Sequence, residues 1–345
     1  MANPTQVPHG NPFIPYPPTQ GILEGYTLEK ALGILPIAKS DVFPTPFLWA
    51  QYSSYGFKFD TVQHWGIGEW YFPGHAVEAY TSCGEYSYQG CLNPSHEGQA
   101  FIRSIKHNCG RAGCPVCHKT WLVETTKKIS HRINEAQRIF KEWGWRRTSP
   151  IHVTVSPPRS AWPQYRDIGK FNKLRQKAQQ VAKKAGFHGG SIIFHPYRER
   201  CASCGGKIAF KSRKCEDCKG EDIVWYWSPH WHLFGFGWIR GTKALYQGTG
   251  YLVKNHGIRS DIEATAYYQL THCGIHEGKH VLTWFGTLHY SKLHVEPYEP
   301  ECVGPTECPL CGNRLRLLRY TGTKPPPIDE EGEVVGSTGW GYRYE

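Results

Sequence analysis

The chain has 345 residues, of which 20% are charged and 39% hydrophobic, and this excludes a protein that is disordered throughout. No apolar run approaches the roughly 18 residues of a membrane-spanning helix. The first residues lack the charged and apolar regions of a secretory signal. We therefore expect a cytoplasmic protein with no membrane partner, whose 13 cysteines bind metal rather than form disulfides.

The net charge of +11 is concentrated in one third of the chain. Residues 101–220 carry 26 basic and 7 acidic side chains, whereas the segments on either side are net acidic. A basic segment of this kind is typical of a face that binds a polyanion such as nucleic acid. A solvated basic surface without a partner is the alternative interpretation.

The first part of the chain is rich in proline and glycine and then becomes regular. Residues 1–40 are predicted to form an extended arm, and residues 41–117 an irregular β-containing region that ends in a cysteine knuckle. Apolar side chains at helical spacing predict a helix over 118–143 that stops at Gly144. A β-run over 151–155 follows.

The second part of the chain alternates helical and strand patterns. A helix with a basic exposed face is predicted over 164–185, ending at Gly186, and strands are predicted over 191–194 and 223–237, the latter broken by Pro229. The run Ser260-Asp-Ile-Glu263 is a capping box that predicts the start of a third helix. The acidic tail, residues 324–345, is predicted to be disordered.

Two Cys-x2-Cys pairs separated by ten residues give the clearest metal signal. Cys201, Cys204, Cys215 and Cys218 offer four thiolates to one tetrahedral ion, which is typical of structural zinc. The pairs lie between two predicted strands, so we expect a finger over 201–218 that caps the hairpin joining them.

Two further groups each offer three cysteines beside a proline-containing turn, and each needs a fourth ligand. In the first, the cysteines are Cys109, Cys114 and Cys117, and the candidates for the fourth ligand are Cys83, Cys91 and His107. In the second, the cysteines are Cys302, Cys308 and Cys311, and the candidates are His294, His289 and Cys273. The sequence therefore predicts two to three structural zinc ions.

A His-aromatic-His run lies in one predicted strand. His230 and His232 point to the same face, while Trp231 points to the other, because side chains alternate along a strand. The two histidines can therefore share one metal ion. Taken alone, such a pair is more often two ordinary strand histidines.

Three motifs together resemble the HUH endonuclease superfamily, which includes rolling-circle replication initiators, relaxases and single-strand transposases. They are the run His152-Val-Thr-Val-Ser-Pro-Pro158, the His230–His232 pair, and the helix run Ala266-Tyr267-Tyr268-Gln-Leu-Thr-His272. With the Cys114-Pro-Val-Cys117 knuckle, they look most like replication proteins of archaeal plasmids and viruses. Many members of the superfamily carry lysine three residues after the tyrosine, where this chain has Thr271 or Leu270.

The resemblance covers residues 105–275 and implies an α+β fold. We expect a nuclease domain over 118–290 with a central antiparallel sheet, helices on one face, and metal and DNA on the other. A knuckle region over 291–323 follows it. The implied activity is nicking and joining of single-stranded origin DNA through a 5′-phosphotyrosine, with Mg²⁺ or Mn²⁺, to initiate rolling-circle replication of a plasmid or virus in an archaeal host. Since the chain has no P-loop sequence, a separate helicase is expected as a partner.

The same resemblance implies the roles of individual residues. Tyr268 and His272 lie about 40° apart on a helix, so Tyr268 is preferred as nucleophile over Tyr267, with His272 as third ligand of the His230–His232 ion. His152 and His195 are alternative third ligands. Residues expected to hold DNA phosphates are Lys170, Lys173, Arg175 and Lys177 of the basic helix, and Lys211, Arg213 and Lys214 of the finger.

Other functions fit parts of the pattern. A transposase or relaxase would use the same chemistry. A non-catalytic zinc protein that binds nucleic acid would explain the charge and the cysteines, but it leaves the tyrosine helix unexplained. A hydrolase that activates water would need acidic ligands, and the sequence has none between Asp222 and Asp261.

Overall fold

A computed structural model describes residues 70–75, 82–209, 213–300 and 304–344. The predicted arm, Lys211 and Cys302 lie outside these ranges. The described residues form an α+β structure with two antiparallel five-stranded sheets. Its elements are, in chain order, β1 (Tyr86–Cys91), β2 (Gln99–Lys106), α1 (His118–Glu142), β3 (Ile151–Ser156), α2 (Phe171–Lys184), β4 (Phe187–Cys201), β5 (Ile223–Gly237), α3 (Thr242–Thr249), β6 (Leu252–Ile258), α4 (Ile262–Thr271), β7 (Leu282–Gly286), β8 (Arg316–Tyr320), β9 (Glu333–Gly336) and β10 (Trp340–Tyr342).

The large sheet has the strand order β6-β3-β5-β4-β7 and is covered by helices on both faces. On one face, α2 packs against Val153, Phe194 and Trp231. On the other, α1 and α4 pack against Ile193 and Phe234. The expectation of helices on one face alone is therefore wrong. The physical reason is that β4 and β5 are buried on both faces through their middle sections, so that each face requires an apolar cover.

The first two helices end where the glycines predict, but α2 begins later than predicted. Gly144 and Gly186 follow α1 and α2 with φ of 75° and 99°, a conformation that suits glycine. Residues 159–166 and 168–170 form 3₁₀ turns instead of α-helix. Pro163 interrupts the helical pattern there, and the Asp167 side chain accepts a hydrogen bond from the Gly169 N–H at 2.9 Å.

The helix that carries the two candidate tyrosines is capped by a different residue from the one predicted. The Asp261 carboxylate accepts a hydrogen bond from the Ala264 N–H at 2.8 Å, so Asp261 and not Ser260 is the N-cap of α4. Either residue type can cap a helix, and the one-residue shift makes Ile262 the first helical residue.

The long hairpin of β4 and β5 carries the finger at its tip. Strand β5 continues through Pro229 because the pairing shifts register there: His195 faces His230, but Tyr197 faces Trp227. Two β5 residues thus oppose Pro196, which makes a β-bulge where a residue without an N–H is tolerated. The bulge lies directly beside the histidine pair.

The small sheet joins the two ends of the described chain, in the order β10-β8-β1-β2-β9. The tail predicted to be disordered therefore contains two strands, β9 and β10. Trp340 in β10 packs its ring 5.1 Å from Tyr88 and 4.9 Å from Tyr320, so apolar contacts order the tail despite its acidic cluster. Within the part of the chain that the structure describes, no helix combines the length and apolar character needed to cross a membrane.

A candidate histidine–tyrosine centre and three cysteine clusters

Three buried histidines of the large sheet place one ring nitrogen each within 4.8 Å of one another. His195 comes from β4, and His230 and His232 come from β5. The register explains the grouping, since His195 pairs directly with His230, and His232 lies two residues further along the same face. The rings of His195 and His232 stack with their centroids 4.0 Å apart.

Hydrogen bonds to backbone carbonyls fix which nitrogen of His230 and His195 is available. Nδ1 of His230 donates to the Ser228 carbonyl at 2.7 Å, which leaves the Nε2 lone pair for a ligand. Nε2 of His195 donates to the Gln269 carbonyl at 2.8 Å. Its Nδ1 is buried without a hydrogen-bond partner among the described residues. A buried acceptor without a partner is costly, and a metal ion would satisfy it. The three histidines thus fit a divalent metal.

His152 of β3 orients the third histidine of the group. Its Nε2 lies 2.8 Å from Nδ1 of His232. If the His232 Nδ1–H donates to His152, Nε2 of His232 is left free for a metal. Burial lowers the pKa of His152, His195, His230 and His232 well below the usual value, so all four rings are neutral at pH 7, as metal ligands must be.

His272, the preferred third ligand in the sequence, does not belong to the group of three. Its ring lies edge-on to His195, with centroids 4.4 Å apart. Tyr268 and His272 would share a helix face only if α4 continued through residue 272, but the helix ends at Thr271, and His272 leaves the helical conformation with φ −132° and ψ 27°. The alternative candidate His195 occupies the third position.

Tyr268 lies beside the histidine group, and Tyr267 does not. The ring of Tyr268 is 6.0 Å from His232 and 5.0 Å from His272, between centroids. Tyr267 packs instead against the apolar core between α1 and α4. The two adjacent positions point in different directions on the helix, as the sequence predicts for neighbouring residues.

The electrostatic surroundings of Tyr268 are mixed. Burial, followed by the charge of Glu199, raises the pKa of Tyr268 to about 12, while Arg213, Arg198 and Arg259 act to lower the pKa. The phenol is therefore protonated at neutral pH and needs a proton acceptor to become a nucleophile.

The finger cluster assembles as its spacing predicts. Sγ of Cys204 lies 3.4 Å from that of Cys215 and 3.5 Å from that of Cys218, and Cys201 lies 3.5 Å from Cys218. The backbone N–H of Cys204 lowers the pKa of Cys201 to about 6, which favours the thiolate that binds metal. The four sulfurs could hold a structural zinc ion.

The structure selects Cys83 as the fourth member of the first knuckle, from the three candidates in the sequence. Sγ of Cys83 lies 3.5 Å from that of Cys114, and Sγ of Cys109 lies 3.3 Å from that of Cys117. This four-cysteine group, immediately before α1, could also hold a structural zinc ion.

The third cluster has two members that the sequence reasoning did not place there. Cys308 and Cys311 meet Cys91 and His96, so that the ligand set is three thiolates and one imidazole. Sγ of Cys91 lies 3.7 Å from that of Cys311. The spacing Cys91-x4-His96 around a proline was the signal that could have identified the pair.

The three candidates proposed to complete the third cluster lie elsewhere. Cys273 is buried in the core between α1 and α4, and His294 is exposed with its Nε2 3.1 Å from Glu296. His289 is also exposed, and its Nδ1 lies 2.8 Å from the Ser291 hydroxyl. Cys91 and His96, which are distant from Cys308 and Cys311 in the sequence, complete the cluster because β1 and β8 are neighbours in the small sheet.

The predicted DNA-binding residues separate into two sets. Arg213 of the finger lies near Tyr268, and Lys214 beside it pairs with Glu221 at 2.8 Å. The other set lies on the face of the large sheet opposite the histidines, with Lys170 in the 3₁₀ turn just before α2 and Lys173, Arg175 and Lys177 in α2. A single continuous basic patch is therefore not formed by these residues.

No protein-family model matches the sequence, and no curated protein or solved structure gives a significant match. Function must therefore be inferred from the chemistry of the histidine–tyrosine centre.

Proposed function

We propose that the protein cleaves and rejoins single-stranded DNA through Tyr268, as an HUH-type replication initiator of a plasmid or virus. The observation that carries this proposal is the position of Tyr268 beside three buried histidines that each place one ring nitrogen within 4.8 Å of the others. The arrangement agrees with what the resemblance implies: a His-x-His pair on a central strand, and a tyrosine on a helix that covers the same face.

The reaction follows from the residues at the centre. The Tyr268 hydroxyl attacks the phosphorus, the bond from phosphorus to the 3′ oxygen breaks, and the 3′ oxygen leaves with a proton. The products are a 5′-phosphotyrosine and a free 3′-hydroxyl, which primes synthesis and later reverses the step. Mg²⁺ or Mn²⁺ held by His195, His230 and His232 would polarise the scissile phosphate.

Glu199 is the candidate acceptor of the phenol proton. Its charge acts on Tyr268, and although burial raises the pKa of Glu199, the Arg213 guanidinium at 2.8 Å favours the ionised form that can accept a proton. Unwinding is left to a separate helicase, because the chain carries no P-loop sequence.

The proposal is tested by covalent trapping. The protein is incubated with Mn²⁺ and labelled single-stranded oligonucleotides that tile its replicon, and a denaturing gel detects the protein–DNA adduct. We expect Tyr268→Phe to abolish the adduct, since it removes the attacking oxygen, and Tyr267→Phe to retain it. An adduct that persists in Tyr268→Phe, or that is lost only in Tyr267→Phe, would show the assignment to be wrong.

A second function is favoured by the three metal-ligand clusters and the basic helix: non-catalytic, zinc-dependent binding of nucleic acid. In that case the wild-type protein binds single-stranded DNA tightly but forms no adduct with either strand of the replicon. A transposase or relaxase shares the chemistry and differs in its target, so the position of the trapped nick separates these from a replication initiator.

A further inference from the structure

We propose that Arg198, Arg213 and Arg259 form a phosphate-binding pocket around Tyr268, and that the cysteine finger is required for this pocket because it delivers Arg213. That the bound group is the scissile phosphate rests on the proposed function, whereas the pocket itself rests on the arrangement of the arginines.

The three arginines reach the centre from separate elements. Arg198 lies in β4 three residues beyond His195, and its Nη2 donates to the Ser156 hydroxyl of β3 at 2.7 Å. Arg259 follows β6, and its N–H donates to the Pro150 carbonyl at 2.9 Å. Arg213 comes from the finger. Each guanidinium is close enough to Tyr268 for their charges to interact, and Arg213 lies against Glu199, the residue next to Arg198 in β4.

The charges that act on Tyr268 are predominantly positive. Glu199 acts on Tyr268 with a single negative charge, which balances only part of the charge of the three guanidinium groups. An anion placed next to the Tyr268 hydroxyl would therefore meet a net positive field.

Arg213 is held there by the finger. Its Nη2 lies 2.8 Å from the Glu199 carboxylate, and the two side chains are 22% and 17% exposed. Its backbone is left-handed with φ 58°, and its N–H donates to the Ala209 carbonyl at 2.9 Å. Cys215 follows two residues later, so the turn that positions Arg213 is anchored by the four-cysteine group.

Phosphate is the ligand that this geometry fits. Guanidinium groups bind phosphate oxygens with two parallel hydrogen bonds, and they stabilise the negative charge that grows when an oxygen attacks phosphorus. If the finger loses its zinc, its turn is no longer fixed and Arg213 no longer faces Tyr268. The pocket then weakens, while the three-histidine group on β4 and β5 remains in place.

The first measurement is the binding of inorganic phosphate by isothermal titration calorimetry, without DNA. We expect Arg213→Gln to weaken phosphate binding at least 10-fold, Arg213→Lys to weaken it less, and Lys207→Gln, a matched control at an exposed lysine of the finger, to leave it unchanged. Since Arg213→Gln leaves Glu199 without its cation, the double variant E199Q/R213Q is measured too, and it must also bind phosphate weakly. If either Arg213→Gln or E199Q/R213Q binds phosphate as tightly as the wild type, the proposed pocket is wrong.

The second measurement tests the role of the finger. Cys204→Ser should lower zinc content and weaken phosphate binding as Arg213→Gln does. Cys311→Ser should also lower zinc content, but it should keep wild-type phosphate affinity because its cluster lies in the small sheet. A Cys204→Ser protein with less zinc and unchanged phosphate affinity would overturn the coupling to the finger.

The third measurement links the pocket to the proposed reaction. Where the wild type forms the DNA adduct, Arg213→Gln should slow its formation about 100- to 1,000-fold, the usual effect of removing one donor to a developing negative charge. If the wild type forms no adduct but binds phosphate through Arg213, the proposed function fails and the pocket stands. If the adduct forms at equal rates in both proteins, the pocket is wrong and the function stands.

Discussion

At the residue scale, the candidate metal centre depends on His152, which is not a member of the three-histidine group. The His152 Nε2 lies 2.8 Å from Nδ1 of His232, and a hydrogen bond from this Nδ1–H leaves Nε2 of His232 available for a metal. Partners of this kind typically change metal affinity 10- to 100-fold when removed. We therefore expect His152→Ala to weaken Mn²⁺ binding by about that factor, measured by calorimetry on protein that retains its zinc.

His152→Gln should recover part of the lost affinity, since an amide oxygen can accept the same hydrogen bond. His289→Ala is the matched control, because His289 is exposed and lies outside the group. If His152→Ala binds Mn²⁺ as tightly as the wild type, the orientation of His232 does not depend on this hydrogen bond.

The sequence predicted one part of the centre and left the third position open between several histidines, for physical reasons. His230 and His232 share a face because side chains alternate along any strand, which is a local rule. To predict the third position, one must know that His195 pairs with His230 across a hairpin that contains a finger and a bulge. This register is a non-local property, so the sequence pattern of one strand does not reveal it. His272, preferred in the sequence, lies outside the group of three because the helix ends before it, and a helix end cannot be placed to within one residue from a pattern.

At the element scale, the position of the basic helix α2 prevents it from acting at the histidine–tyrosine centre. It packs on the face of the large sheet opposite the histidines. Beside it, a cleft of about 380 Å³ between α2 and the edge strand β7 is lined by Arg175, Lys183 and Lys292. We infer that α2 holds the DNA backbone outside the site of cleavage.

Neutralising the exposed Lys173 and Lys177 on α2 tests this separation. Each phosphate contact that is lost should reduce the slope of log affinity against log salt by about 0.7 for single-stranded DNA. The adduct rate at saturating DNA should not change. Lys141→Gln, on the exposed surface of α1, is the control and should leave the slope unchanged. A fall in the saturated adduct rate would place α2 at the reacting strand.

The elements themselves were more predictable than their arrangement. The apolar spacing located α1 and the core of α2, because amphipathic periodicity is a local property. Helices lie on both faces of the large sheet because β4 and β5 are buried on both sides. The presence of strand-forming residues in the sequence does not by itself specify this burial. The finger was predictable in full because all four ligands lie within 18 residues.

At the scale of the whole molecule, the small sheet draws residues from both ends of the described chain. Strand β1 pairs with β8, and β2 pairs with β9. The cluster of Cys91, His96, Cys308 and Cys311 spans the same junction. Sequence patterns could not predict that the two ends of the described chain pair with each other. The two halves of the cluster are separated by more than 200 residues, and the closing of so long a loop has no signature in the local sequence.

Metal at this junction should therefore control the C-terminal strands and not the histidine–tyrosine centre. We expect His96→Ala to lower the zinc content from three ions to two, measured by mass spectrometry, because it removes one ligand from one of three clusters. Trypsin should then cleave faster at Arg316 and Arg319 in β8, which pairs with β1 beside the cluster. Mn²⁺ affinity should stay the same, since the large sheet has its own apolar cores.

His107→Ala is the matched control for this variant. His107 is exposed, was a candidate ligand in the sequence, and lies outside the clusters that the described residues form. It should keep three zinc ions and wild-type resistance to trypsin. If His96→Ala loses its zinc but its C-terminal strands remain protected, the pairing of β8 with β1 is sufficient to hold the small sheet. If it retains all three ions, His96 is not a ligand and another residue completes the cluster of Cys91, Cys308 and Cys311.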